Sequence, residues 1–158
     1  MMDERIVLQT KLQSSRQELL ALLAGLNEAE WETAVYAKST TWQVIDLLRH
    51  LTEAESSMTR LMVLIRDGGP GVPDDFDLDR WNASRIKKTL GKSTDDLLTA
   101  MAQNRTNLLE FMDALDEADW AKKGRHGSGR VLSIEEICHM IADHEAIHTA
   151  DIRAALGK

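Results

Sequence analysis

His144 and His148 stand four residues apart in the stretch Ile141-Ala-Asp-His-Glu-Ala-Ile-His148. On a helix, at about 100° per residue, that spacing puts both imidazoles on one face about 6 Å apart, where they can share a metal ion. Imidazole is the commonest side-chain ligand for zinc-like ions. With Ile134 as the zero of angle, Ile137, Met140, Ile141, Ile147, Ile152 and Ala155 centre near about 290°, and His144 and His148 fall at about 280° and 320°. Both are therefore expected to point at the core. An imidazole in an apolar stripe needs partners for its nitrogens, so the competing reading is a pair of hydrogen-bonded core histidines. His139, at about 140°, is excluded as a ligand.

Two histidines leave a metal's coordination incomplete, and a catalytic site adds a third protein ligand with an open position. His50, Glu53, Glu55 and Asp46, on an earlier helical segment, are the supply. There Val44, Ile45, Leu47, Leu48, Leu51, Met58, Met62 and Ile65 make an apolar stripe with His50 at its edge. His126, in a Gly-rich loop, is expected to be exposed. His144-Glu-Ala-Ile-His148 also fits the HExxH pattern of zinc proteases, in which the glutamate is a general base. Those enzymes take a third ligand from downstream and hold a peptide along an edge strand. Neither feature is visible, and the protease reading is set aside.

The elements that must position these residues are helical. Pro70 and Pro73, the only prolines, fall in Gly68-Gly-Pro-Gly-Val-Pro73, which breaks the chain into halves. On either side, segments rich in Leu, Ala, Met, Glu and Arg predict helices near 3–25, 41–66, 77–89, 94–115 and 133–156. Ser133 with Glu136, Ser93 with Asp96 and Thr40 with Gln43 mark helix starts. The halves match each other without gaps at an offset of 89 residues. Arg16, Leu19, Glu28, Trp31, Ile45 and His50 recur as Arg105, Leu108, Glu117, Trp120, Ile134 and His139. This predicts an all-α protein: a single four-helix-bundle domain over 1–158, made from a duplicated two-helix unit with an internal pseudo-twofold axis, and a short extra helix before the third main one. A histidine duplicated in this way could be structural in both copies. The connections 27–40 and 116–132 are expected to be long loops that could close a site over a bundle end.

Composition narrows the functions. A formal charge of −7 argues against electrostatic partners such as nucleic acid or anionic membrane. No apolar run is long enough for a membrane span. The acidic start at Asp3 and Glu4 shows no secretory signal, so a cytoplasmic location is expected. The single cysteine, Cys138, has no internal partner and reads as a core residue. No P-loop, Gly-rich dinucleotide fingerprint or cysteine pair occurs.

Leu47-Leu-Arg-His-Leu-Thr-Glu-Ala-Glu55, Asp79-Arg-Trp-Asn82 and the His144 to His148 stretch, in this order and spacing, resemble the DinB/YfiT-like superfamily of helical metalloproteins. The resemblance implies a four-helix bundle and a divalent metal, most often nickel or zinc, held by His50, His144 and His148. It is the resemblance, and not helical position, that selects His50. It also implies a metal-dependent enzyme that uses a low-molecular-weight thiol such as bacillithiol, mycothiol or glutathione for S-transfer on a small-molecule substrate. Independently of the resemblance, substrate or thiol carboxylates would be held by Lys122, Lys123, Arg125 or Arg130 if that loop folds over the site, against the repulsion of Asp74, Asp75, Asp77 and Asp79 nearby. The C-terminal domain of the maleylpyruvate isomerase branch is absent, which counts against that particular reaction. Two other readings stay open. One is metal-assisted hydrolysis with Glu145 or a helix-2 carboxylate as base; the other is a non-enzymatic helical binding or dimerisation module. A homodimer is compatible with all three.

Overall fold

Apolar residues at intervals of three and four give the first long helix its inner face. In a computed structural model, which describes residues 4–38 and 40–158, α1 (Glu4–Leu23) buries Leu8, Leu12, Ser15, Leu19, Leu22 and Leu23 along one side. Asp3, where the sequence places the first helical residue and the acidic start, lies outside the described residues. A short helix α2 (Glu28–Trp31) follows, started by a capping box in which the Asn27 side chain accepts from the Glu30 backbone and the Glu30 carboxylate accepts from that of Asn27. The remaining helices are α3 (Val44–Arg66), α4 (Leu78–Lys88), α5 (Thr94–Asp113) and α6 (Ile134–Leu156).

The two connections expected to be loops are not irregular. Each carries an antiparallel hairpin, β1 (Ala34–Ala37) with β2 (Thr41–Gln43) and β3 (Lys123–Arg125) with β4 (Val131–Ser133). A 3-10 turn at Glu117–Ala121 precedes the second hairpin. Strands of three or four residues are too short to show an alternation among neighbouring helical patterns. The first hairpin also corrects a helix start. Thr41–Gln43 is strand, so α3 begins at Val44, and the Gln43 backbone N–H donates to the Asp46 carboxylate at 3.0 Å. Ser133 and Ser93 do cap their helices reciprocally with Glu136 and Asp96.

The chain divides into two compact units, Met1–Leu48 with Cys138–Lys158, and Arg49–Ile137. In the first unit Leu8, Leu12, Leu19, Val44, Leu47, Cys138, Ile141 and Ile152 are buried. In the second, Met62, Ile65, Leu97, Met101, Leu108, Phe111, Leu132 and Ile137 are. Between α3 and α4 the Pro70 to Pro73 stretch is fixed by backbone bonds to the second hairpin, Arg125 N–H to Pro70 at 2.8 Å and Val72 N–H to Arg125 at 2.9 Å. Gly71, at φ +97°, lies so close that a Cβ would fall 2.2 Å from the Arg125 nitrogen, so no other residue fits there. Among the described residues no helix is long and apolar enough to cross a membrane.

Both halves follow the order long helix, short helical segment, hairpin, long helix. The gapless offset of 89 holds only up to the hairpins. Thr33 accepts from Val44 N–H where Lys122 accepts from Ile134 N–H, so beyond the hairpins the offset is 90, because the second runs one residue longer. His50 therefore corresponds to Met140, and His139 to Arg49. The histidine duplication is removed.

Candidate metal centre

His144 and His148 sit in the third and fourth turns of α6, both half-buried. Their Nε2 atoms are 3.0 Å apart and the rings meet edge to face at 4.4 Å between centroids. Metal–nitrogen bonds of about 2.1 Å, set about 90–110° apart, bring two donor nitrogens to about 3.0–3.4 Å, close to this separation. Two imidazoles one turn apart could instead have diverged. Here they converge on one point.

They do not sit at the centre of the buried stripe, as the angular argument expects. The buried face of α6 is Ile134, Ile137, Cys138, Ile141, Ala142, Glu145, Thr149 and Ile152, whereas Ile147 is 60% exposed. Counting Ile147 and Met140 into the stripe rotated its apparent centre. The histidines flank the core, and Glu145, 2% exposed, occupies its middle.

The first hairpin reaches this pair. Tyr36, paired with Trp42 across the strands, places its hydroxyl 2.9 Å from His148 Nδ1. The same hydroxyl donates a hydrogen bond to Asp151, one turn beyond His148. A phenol has one proton. With that proton directed at the carboxylate, the Tyr36 oxygen accepts from Nδ1–H, and the His148 Nε2 lone pair is left facing His144. The contact between the two Nε2 atoms is then an N–H···N bond donated by His144. Coordination through both Nε2 atoms asks only that the His144 hydrogen move to its Nδ1. Burial lowers the pKa of His148, partly opposed by the Asp151 charge, which favours the neutral form that ligates. Burial and the bond to Asp151 raise the Tyr36 phenol, so it stays protonated. Neither Tyr36 nor Asp151 was singled out from sequence; the spacing of Asp151 from His148 was the one signal available.

The carboxylates proposed as bases or ligands are engaged elsewhere. Glu145 accepts from Ser15 Oγ at 2.8 Å and Arg16 Nε at 2.9 Å, which ties it to α1. Glu55 is held by Arg105 at 3.0 Å, Glu53 by Arg85 at 2.9 Å, and Asp46 by the backbone of Gln43. The general-base reading of Glu145 is thereby corrected: its neighbour in sequence faces the candidate site, and it faces the core. His50 is 7% exposed on the second turn of α3 and belongs to the second unit, while the pair belongs to the first. His139 Nδ1 lies 3.0 Å from Lys11 Nζ. His126 is half-buried and not exposed as expected, with Nδ1 accepting from the Ser128 backbone and burial lowering its pKa. Lys122 bonds Asp119 and the Arg66 carbonyl, and Arg125 pairs with Asp74, so these two basic residues have local partners.

Known structures share this architecture. YfiT from Bacillus subtilis, described as a probable metal-dependent hydrolase with an unusual four-helix bundle topology, superposes with a TM-score of 0.77 at 14% identity over 94% of this chain and 83% of its own. TT2238, a four-helix bundle protein, gives 0.67 at 22% identity over 93% and 96%. The mycothiol-dependent maleylpyruvate isomerase gives 0.73 at 17% identity over 92% of this chain but only 60% of the isomerase. These likenesses establish the four-helix-bundle fold. None of the curated proteins matches. The family model of the DinB superfamily matches residues 11–152, nearly the whole chain, and the protein belongs to that superfamily.

Proposed function

We propose that the protein is a metal-dependent enzyme in which His144, His148 and His50 hold one divalent ion, nickel or zinc, and that its substrate nucleophile is a low-molecular-weight thiol. The reading is carried by the convergence of the two Nε2 atoms at 3.0 Å, with the Tyr36 hydroxyl on the opposite, Nδ1 side of His148. His50 completes the set. It offers a ligand nitrogen, it is buried, and it follows by two residues the Val44–Leu48 segment that belongs to the same unit as the pair. Half-burial of the pair suits a site with open positions more than a closed structural one.

A divalent ion supplies acidification of a bound thiol or water near neutral pH. The four carboxylates the sequence offers as bases or ligands, Glu145, Glu53, Glu55 and Asp46, are all engaged. That favours thiol transfer, in which the nucleophile arrives as a ligand, over hydrolysis assisted by a protein base. The small-molecule substrate, the cytoplasmic location and a homodimer remain parts of the proposal.

Elemental analysis of purified protein is expected to find about one equivalent of divalent metal, lost in His144→Ala and His148→Ala. Glutathione with an aromatic chloride electrophile is expected to react faster in the presence of metal-loaded than metal-stripped protein. Stoichiometric metal with turnover of esters and none of thiol would replace thiol transfer by hydrolysis. Absence of bound metal after incubation with zinc and nickel would sink both and leave a helical binding module.

A further inference from the structure

Resting on the metal reading above, we infer that Tyr36 and Asp151 are positioning residues that lock His148 into the tautomer able to coordinate through Nε2. The geometry is a three-member relay. The Asp151 carboxylate accepts from the Tyr36 hydroxyl, and that oxygen lies 2.9 Å from His148 Nδ1. Asp151 and His148 are on the same face of α6, one turn apart, so the helix fixes the span the phenol has to bridge. The phenol itself is fixed by the hairpin. Tyr36 pairs with Trp42 in the antiparallel register, their rings lie 6.4 Å apart, and the Tyr36 ring meets the His148 ring edge-on at 5.9 Å.

A free neutral imidazole exchanges its hydrogen between Nδ1 and Nε2, and only the form with Nε2 bare can ligate in this direction. Histidine ligands are commonly fixed by a carboxylate or carbonyl on the far nitrogen. Here the carboxylate acts through a phenol contributed by a different element. Tyr36 approaches from the Nδ1 side, opposite the nitrogen that faces His144, so it positions the ligand and does not touch the reacting groups. The first hairpin thus acquires a reason for its place before α3.

Two measurements on the full chain test this. In the metal-free protein, long-range proton–nitrogen NMR of His148 near pH 8 should show hydrogen on Nδ1 in wild type and a mixture or the Nε2–H form in Tyr36→Phe, which keeps the ring packing. Zinc affinity by chelator competition should fall about 10- to 100-fold in both Tyr36→Phe and Asp151→Asn. Each variant is compared at unchanged helical circular dichroism, and Asp151→Asn, which leaves the phenol in place, serves should Tyr36→Phe not fold. Wild type that carries Nε2–H on His148, or variants that bind zinc within twofold of wild type, would overturn the relay. Wild type that shows the Nδ1–H form yet takes up no zinc or nickel would instead defeat the metal reading and leave the relay standing.

Discussion

Glu145 shows how adjacency in sequence misleads at the scale of one residue. It follows His144 directly, and in an HExxH frame it would be a base; one residue on a helix is a rotation of about 100°, which turns it from the histidine face into the core. Its carboxylate is 2% exposed and paired with Arg16, whose side chain is 11% exposed. Removing one partner of a buried pair leaves the other charge uncompensated, at a cost of about 3–5 kcal/mol. Glu145→Ala is therefore expected to lower the urea midpoint by that equivalent while the metal bound per folded chain stays at the wild-type value. A variant as stable as wild type but devoid of metal would return Glu145 to the site. The spacing of His144 and His148 was legible from sequence because period alone sets it. Their inward orientation is less than the sequence pattern predicts, because Ile147, apolar yet exposed, lies on their side of the helix and outside the core. Tyr36 was out of reach, since nothing in a presumed loop says where a lone tyrosine points.

At the scale of elements, the signals that sequence carries best are the local ones. Ser93 and Ser133 cap as their spacing predicts, because a capping box closes within four residues and needs no tertiary partner. The start of α3 departs from the sequence pattern for the opposite reason: Thr41–Gln43 is claimed by β1, a partner whose own strand signal is too short to read. Ser133 hands β4 over to α6, the helix that carries the histidine pair. Ser133→Ala should cost about 1 kcal/mol, read as a lowered thermal midpoint. The reciprocal half of the box is pH-dependent. Hydrogen bonding to the backbone and side chain of Ser133 lowers the Glu136 pKa below its ordinary 4.5. A depressed carboxyl stabilises the fold fully above the unfolded value and loses that contribution as pH falls through the folded one. The midpoint difference between wild type and Glu136→Gln should thus be constant from neutral pH to about 5 and shrink below about 4.5. A difference that grew with acidification would contradict the assignment.

The whole molecule repeats its scaffold but not its chemistry. Arg16 with Glu145 in the first unit is matched by Arg105 with Glu55 in the second, and Thr149 bonded to the Glu145 carbonyl is matched by Thr59 on that of Glu55. In the register these bonds define, His144 and His148 correspond to Ala54 and Met58. The repeat supplies two sets of ion-paired helices, and only α6 carries a pair of imidazoles one turn apart, α3 having His50 in a different register. Repeated residues such as Leu26 to Trp31 made the duplication visible in sequence; the one-residue change at the hairpin stayed hidden because identities before it outnumber those after it. This asymmetry bears on stability. A ligand that binds only the folded chain at 100 times its Kd stabilises by about 2.7 kcal/mol. For a chain of this size that raises the thermal midpoint by about 5 to 10 °C. Zinc or nickel should produce such a shift in wild type and in a variant with Met58→Leu, at the position that answers to His148, and none in His148→Ala. An equal shift in His148→Ala would mean that the ion binds somewhere other than the histidine pair.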